Sequence, residues 1–400
     1  SVEQALLAIQ VADYAARADV PLADVERVAR GFATARQACV RIDLGLQHTL
    51  HTTLNGYLEK LLYLITGNFG KRGGNNLHSF LLPILGDTDE RKGKYLRSVH
   101  HQVHPIGGLF PPNILPDEIL KAGEERVRAV FVDSANPLVT YADTQAYEEA
   151  FGQLDLLVVV DVAMTETARL AHYVLPAASQ FEKWEATGFN LEFPENAFHL
   201  RHPLFAPLGE TLPEPEIYTR LLEKMGVIPS AFPVLSRIAR HEPAATAHLG
   251  YMDAFAATMA RNKKWMAFAP SILYRTLGPA LPKGAAAAAP LLPLSMQYAH
   301  THSAAVRRAG HAGNKLTLGT ALFRAILAKR EGAVMSRHEF KDTWSLIHHP
   351  DRRVHLEIPE MLDELRALAT EVAPGADYPF ILMAGERRSY NANQIYRNPA

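Results

Sequence analysis

The chain reads as an α/β protein: a parallel sheet with flanking helices, plus a helical N-terminal segment and a helical insertion. Three observations within residues 127–190 predict the sheet. Two short β-branched runs, 129–132 and 156–160, each stop abruptly at a polar cluster, DSANP and then DVAMTET. A segment with helical spacing, 144–152, joins them, and a third strand-like piece, VLP at 174–176, follows. Apolar runs linked by a helix-length crossover predict parallel strands covered on both faces.

The remaining elements follow in chain order. Apolar residues at helical spacing predict helices over 2–18 and 22–37, separated by Asp19 to Pro21. Residues 40–43 read as a short strand ending at Leu44-Gly45. A long helix over 52–66 carries Leu54, Leu58, Leu61, Leu62 and Ile65 on one stripe. Gly67, Gly70, Gly73 and Gly74 then mark a loop where the backbone turns sharply or approaches something closely. Residues 79–116, rich in Pro, Gly and His, suit a loop wrapped over a larger body. The α/β module runs from there to residue 226 and closes with a helix over 215–225. Residues 229–368 are mostly helical, and their alanine run at 285–289, flanked by prolines, reads as a linker or exposed insertion. A β-like segment at 353–358, a helix over 359–368 and a strand at 380–383 complete the reading.

With 48% hydrophobic residues in 400, the chain can bury ample core and predicts two to three domains. A formal net charge of -1 gives no reason to propose nucleic acid or an anionic membrane as partner. No apolar run approaches the roughly 18–20 residues that span a bilayer, and no signal peptide is visible, so the cytoplasm is the expected compartment. The single cysteine, Cys39, excludes a disulfide framework. No G-x-S-x-G elbow, P-loop or strict GxGxxG occurs, which leaves hydrolase, kinase and ordinary NAD(P) readings without support.

Open α/β sheets bind ligands beyond the C-termini of their strands. At the first tip, Ser134 and Asn136 offer a hydroxyl and an amide to a phosphate or base edge. The alternative there is a proline-stiffened turn with an Asx hydrogen bond. At the second tip, Asp161 can accept two hydrogen bonds from a ribose diol or a guanine edge. It can equally cap the following turn, unless Thr165, Glu166 or Thr167 does so. His100 and His104 have the spacing of two ligands on one helical face, but Pro105 and the glycines after it argue against a helix. No Cys or Glu completes a set, and no metal site is expected.

The ordered series SANP, a strand ending in Asp161, MTETA, VLPA, an EK pair and Gly-Phe-Asn resembles the third domain of the molybdopterin oxidoreductases. This is the dimethyl-sulfoxide-reductase and formate-dehydrogenase superfamily. Gln47-His48 and LLYLITGNFGKRGGNN at 61–76 resemble two upstream segments of that family, and residues 378–399 resemble the opening of its C-terminal cofactor-binding domain. The resemblance implies a Rossmann-like sheet and a bis(molybdopterin guanine dinucleotide) cofactor holding molybdenum or tungsten. It implies that Ser134, Asn136, Asp161, Thr165 and Glu166 border the nucleotide end of that cofactor. It sets Gln47 and His48 near the metallopterin, although both also suit a polar cap on the next helix. Lys183 would neutralise a phosphate or meet guanine O6, or else is a solvated surface lysine. Glu216 would begin a helix that caps the guanine site, or else offsets a helix dipole. Gly385, Arg387, Arg388, Asn391 and Asn393 would hold the other pterin's phosphates, a task suited to guanidinium forks.

The same resemblance divides the chain at 1–115, 116–228, 229–372 and 373–400. Complete members of the family also begin with a Cys-rich motif for an iron–sulfur cluster, and one cysteine cannot supply it. The chain is therefore expected to be an internal part of a catalytic subunit, inactive alone. Its expected partners are the cofactor, the missing domains and electron-transfer subunits. Residues 385–397 resemble formate-dehydrogenase-like members of the family, and the residues that decide the substrate are expected to lie mainly outside this chain. Two other readings stand beside this one: a non-catalytic scaffold derived from the fold, and a stand-alone mononucleotide-binding protein.

Overall fold

The computed structural model describes residues 1–47, 49–82, 96–188 and 190–371. The expected strand at 380–383, together with His48, Gly385, Arg387, Arg388, Asn391 and Asn393, lies outside them. The chain forms two compact units, one of Ser1–Ser79, Leu191–Pro194 and Arg337–Ala400, the other of Phe80–Asn190 and Glu195–Ser336.

The first unit begins with α1 (Val2–Leu7), α2 (Val11–Arg17), α3 (Leu22–Thr34), α4 (Leu44–Gln47) and α5 (Thr52–Ile65). The helix expected over 2–18 is thus two helices, broken where Ile9 packs against the unit's core. Residues 40–43 do not form the expected strand. Asn75 takes the place of a neighbouring strand: its Nδ2 donates to the Val40 carbonyl at 2.9 Å and its Oδ1 accepts from the Val40 N–H at 3.0 Å. The glycine loop makes the close approach its composition predicts. A Cβ on Gly74 would sit 2.3 Å from the Asn68 carbonyl oxygen, and Gly70 and Gly73 hold φ of +71° and +75°.

The second unit carries the sheet. After α6 (Leu115–Leu120) come β1 (Ala129–Asp133), α7 (Pro137–Thr140), α8 (Thr144–Gly152), β2 (Leu156–Asp161), α9 (Glu166–Leu170) and β3 (Tyr173–Pro176). The strands are parallel in the order β1-β2-β3, with Asp133 level with Val160 and Asp161 level with Pro176. Tyr147, Ala150 and Phe151 recur at helical spacing on α8 and bury one face of the sheet together with Ile119, Val132, Leu157 and Val159. Each of the larger aliphatic or phenyl side chains among them, taken fully from water, contributes about 1.5–3 kcal/mol. Asp143 caps α8 by accepting from the Ala146 N–H.

Two small ribbons follow: β4 (Glu185–Ala186) pairs antiparallel with β6 (Leu200–Arg201), and β5 (Glu195–Phe198) pairs with a later strand. Then α10 (Glu214–Lys224) lays Ile217 against Val160 and Ala177 on the opposite face of the sheet. A helical body continues with α11 (Pro233–His241), α12 (Leu249–Arg261), α13 (Ala269–Thr276), α14 (Leu291–Thr301), α15 (Ser303–Arg308) and α16 (Leu318–Ala328), and ends in β7 (Ala333–Arg337), the partner of β5. The alanine run is no exposed linker. Ala285, Ala288 and Ala289 are buried in this body, where methyl-sized side chains let neighbouring backbone come close: a Cβ on Gly278 would lie 2.6 Å from that of Ala286.

The chain returns to the first unit with α17 (Pro359–Ala367), whose Leu362 and Leu365 join Ala5, Leu54, Tyr57 and Leu61 in one core. The β-like reading of 353–358 fails, since that stretch forms no strand. Its Leu356 carbonyl instead accepts from the Tyr57 hydroxyl at 2.6 Å. No helix among the described residues is long and apolar enough to cross a membrane.

Candidate functional site

Parallel register puts the ends of β1 and β2 on one edge of the sheet, and the polar residues that follow them meet there. Backbone pairing runs one step past β1, with the Ser134 N–H donating to the Val160 carbonyl at 3.0 Å. Ser134 then turns left-handed, with φ of +54°, a conformation that costs a non-glycine residue energy and recurs at ligand-binding turns. Its hydroxyl donates to Asp133 Oδ1 at 2.9 Å, while the Tyr218 hydroxyl donates to Asp133 Oδ2 at 2.8 Å. Burial, and then the Asp133 carboxylate, raise the pKa of Tyr218 and keep its phenol protonated.

Asn136 ties this loop to the one after β2. Its Oδ1 accepts from the Thr167 N–H at 3.2 Å and from the Thr167 hydroxyl at 2.7 Å, and its Nδ2 donates to Glu166 Oε2 at 2.6 Å. Thr167 is fully buried, and its hydroxyl oxygen also accepts from the Leu138 N–H at 3.3 Å. Asn136 therefore works as a clamp between two strand tips rather than as an Asx turn on its own segment. Capping of α9 falls to Thr165, whose hydroxyl accepts from the Ala168 N–H at 3.2 Å.

Asp161 caps the turn after β2 with one oxygen and keeps the other available. Its Oδ1 accepts from the nearby Ala163 N–H at 3.1 Å, and Oδ2 has no partner among the described residues. Val162 and Met164, which follow it in the chain, are exposed.

Two of the expected residues are engaged elsewhere. Lys183 is no solvated surface lysine: only 15% exposed, it is paired with Glu214 at the start of α10. Glu216 takes hydrogen bonds from Arg220 Nε and Arg275 Nη1, each at 2.6 Å. Burial opposes its ionisation, but those bonds outweigh it and hold the Glu216 carboxyl below its ordinary pKa. Arg275 also grips Glu223 with Nε at 2.6 Å and Nη2 at 3.0 Å, bonds that push its own pKa up. Consecutive α10 residues thus do different work: Ile217 packs on the sheet, Tyr218 reaches Asp133 and Glu216 turns to α13. In the first unit Gln47 ends α4.

Sequence reasoning passed over Asp133, Tyr218 and Arg275. Asp133 ends an apolar run just as Asp161 does, so the same signal was there to use. Tyr218 and Arg275 carry no local mark, because their partners are distant in sequence. The histidines take ordinary partners. His101 Nε2 lies 3.0 Å from Asp117, whose other oxygen takes Lys121 Nζ at 2.7 Å, and His355 pairs with Asp351 at 2.9 Å. Ligand atoms of His100, His101 and Asp117 do lie within 4.8 Å of one another, a grouping that Asp117 completes from 16 residues along the chain, with its other oxygen on Lys121.

Comparison with known proteins gives the edge a context. Residues 45–224 match the model of the family described as molybdopterin oxidoreductase. The alpha subunit of F420-dependent formate dehydrogenase 1 from Methanococcus maripaludis is 34% identical over 41% of this chain and 26% of its own length. The alpha subunit of formate dehydrogenase 2 from the same organism is 30% identical over 52% of this chain and 32% of its own. Formate dehydrogenase H of Escherichia coli is 26% identical over 40% of this chain and 24% of its own. The chain spans about a quarter to a third of the length of these relatives.

Proposed function

Because residues 45–224 are a molybdopterin oxidoreductase domain, we propose that the C-terminal edge of the β1-β2-β3 sheet holds the nucleotide end of a molybdopterin guanine dinucleotide. The observation that carries this reading is Asp161, a carboxylate at a parallel strand tip with an oxygen to spare. The donor set fits the group. A carboxylate acceptor matches the N–H edge of guanine or a ribose diol, and the turn at Ser134 matches a phosphate approached through backbone. Asn136 holds the two loops in register, while Asp133 and Tyr218 fix the floor between them.

In this reading the sheet is Rossmann-like, and the segments 1–115, 116–228, 229–372 and 373–400 are the parts of the family's domains that the chain supplies. The bound cofactor supplies two-electron redox chemistry at molybdenum or tungsten. This chain's own residues bind and orient it. Gln47 borders the pterin, and Gly385, Arg387 and Asn393 hold phosphates of the second nucleotide. Lys183 and Glu216 act indirectly, through Glu214 and Arg275, by fixing α10 over the sheet. An iron–sulfur cluster would need thiolates beyond the single Cys39. The relatives are named formate dehydrogenases, and we assign this chain a two-electron oxidoreductase role of the same kind, with formate as substrate and with further domains and electron-transfer subunits as partners.

The test is cofactor content in the complete subunit. Asp161→Ala removes an acceptor for buried ligand donors, a loss of about 1–3 kcal/mol or roughly 5- to 150-fold in affinity. Guanine nucleotide released per polypeptide should fall in Asp161→Ala while the apo-protein melting temperature stays put. Full occupancy with a lowered melting temperature would reduce Asp161 to a turn-capping residue.

A further inference from the structure

A cleft of about 460 Å³ lies between α11 and α13. Helix α10 separates it from the sheet edge, with Ile217 facing Val160 on one side and Glu216 and Glu223 holding Arg275 on the other. The cleft follows one face of α11, where Ser236, Arg237, Arg240 and His241 recur at helical spacing. Arg275 faces them from α13, and Phe232 gives the cleft an apolar wall.

An amphipathic helix with its apolar side buried usually shows a solvated face of mixed charge. This face differs, because no carboxylate lines it. Glu242, next to His241, is turned away to cap α12: its Oε1 accepts from the Gly250 N–H at 2.8 Å and its Oε2 from the Tyr251 N–H at 2.9 Å. Arg237 and Arg240 have no carboxylate partner among the described residues. Arg275 is fixed in place by three of its five N–H groups, which leaves two for a ligand. No side chain caps the N-terminus of α11, so its Val234 and Leu235 amides have no side-chain partner there.

We propose that this cleft binds a small phosphate-bearing molecule, with the forks of Arg237 and Arg240 on its oxygens and Arg275 as a fixed third contact. Planar guanidinium forks match tetrahedral oxyanions, and the volume lies in the range of small-ligand sites. None of its lining residues belongs to the sheet edge, and it shares with the cofactor reading only Arg275, through the pair with Glu216.

Inorganic pyrophosphate, titrated calorimetrically into the complete subunit at low ionic strength, tests the proposal. The wild type should show saturable binding. Arg240→Ala should weaken it about tenfold, and Arg237→Ala with Arg240→Ala by more than that. Arg261→Ala, which removes an exposed arginine of α12 outside the cleft, should leave affinity unchanged, and thermal melting without ligand should show every variant folded. Absence of saturable binding, or equal affinity in the double variant and the wild type, would overturn the proposal.

Discussion

Asn136→Ala separates a clamp from a ligand contact. The substitution strands the Thr167 N–H and hydroxyl, both of which use Asn136 Oδ1, on a residue with no solvent exposure. Leaving a buried donor unsatisfied costs about 1–3 kcal/mol, and the hydroxyl can partly recover by rotating, so about 2–4 kcal/mol is expected in all. For a unit of this size that lowers the melting temperature by roughly 5–10 °C. Asp161→Ala, by contrast, loses one exposed bond to Ala163 and should stay within about 0.5 kcal/mol of the wild type. Differential scanning calorimetry on both variants, with Thr167→Val and the Asn136→Ala/Thr167→Val pair, completes a double-mutant cycle whose coupling should be about 0.5–3 kcal/mol. An Asn136→Ala protein that melts with the wild type, or a cycle with no coupling, would refute the clamp.

Three further outcomes are expected. His51 lies between Glu364, 2.7 Å from Nδ1, and Glu371, 2.8 Å from Nε2, and those two hydrogen bonds raise its pKa above 6.5. Their stabilisation is fully present below that value and lost as pH rises through the folded-state pKa, so the melting temperature should decline across that window and His51→Gln should flatten the decline. Arg275→Met leaves Glu223 without its cation and Glu216 with Arg220 as its one cation beside the Tyr274 hydroxyl, a loss of roughly 2–4 kcal/mol readable by urea titration. Gly319→Ala should destabilise by about 1–3 kcal/mol despite alanine's better helix propensity, because its Cβ would lie 2.4 Å from Met296 Cα across the α14–α16 contact.

Much of the sheet was legible because its signals are local. β1, α8 and β2 are marked by a β-branched run that stops at polar residues and by Tyr147, Ala150 and Phe151 at helical spacing. The misreadings arose where a distant partner decides the outcome. Residues 40–43 have strand-like composition, but Asn75 supplies both hydrogen bonds at Val40. Alanines 285–289 look like a linker in isolation and are core because Gly278 lets them approach. Lys183 and Glu216 were identified as polar residues of interest, while their partners, Glu214 and Arg275, became visible only once α10 and α13 were in place.

Hydrogen exchange on the complete subunit, with and without cofactor, tests the central claim most directly. Nucleotide seated on the sheet edge should slow amide exchange across residues 133–136 and 161–167 on loading, and leave α12 unchanged. Equal exchange at those two loops in the loaded and empty forms, with protection appearing elsewhere, would contradict it.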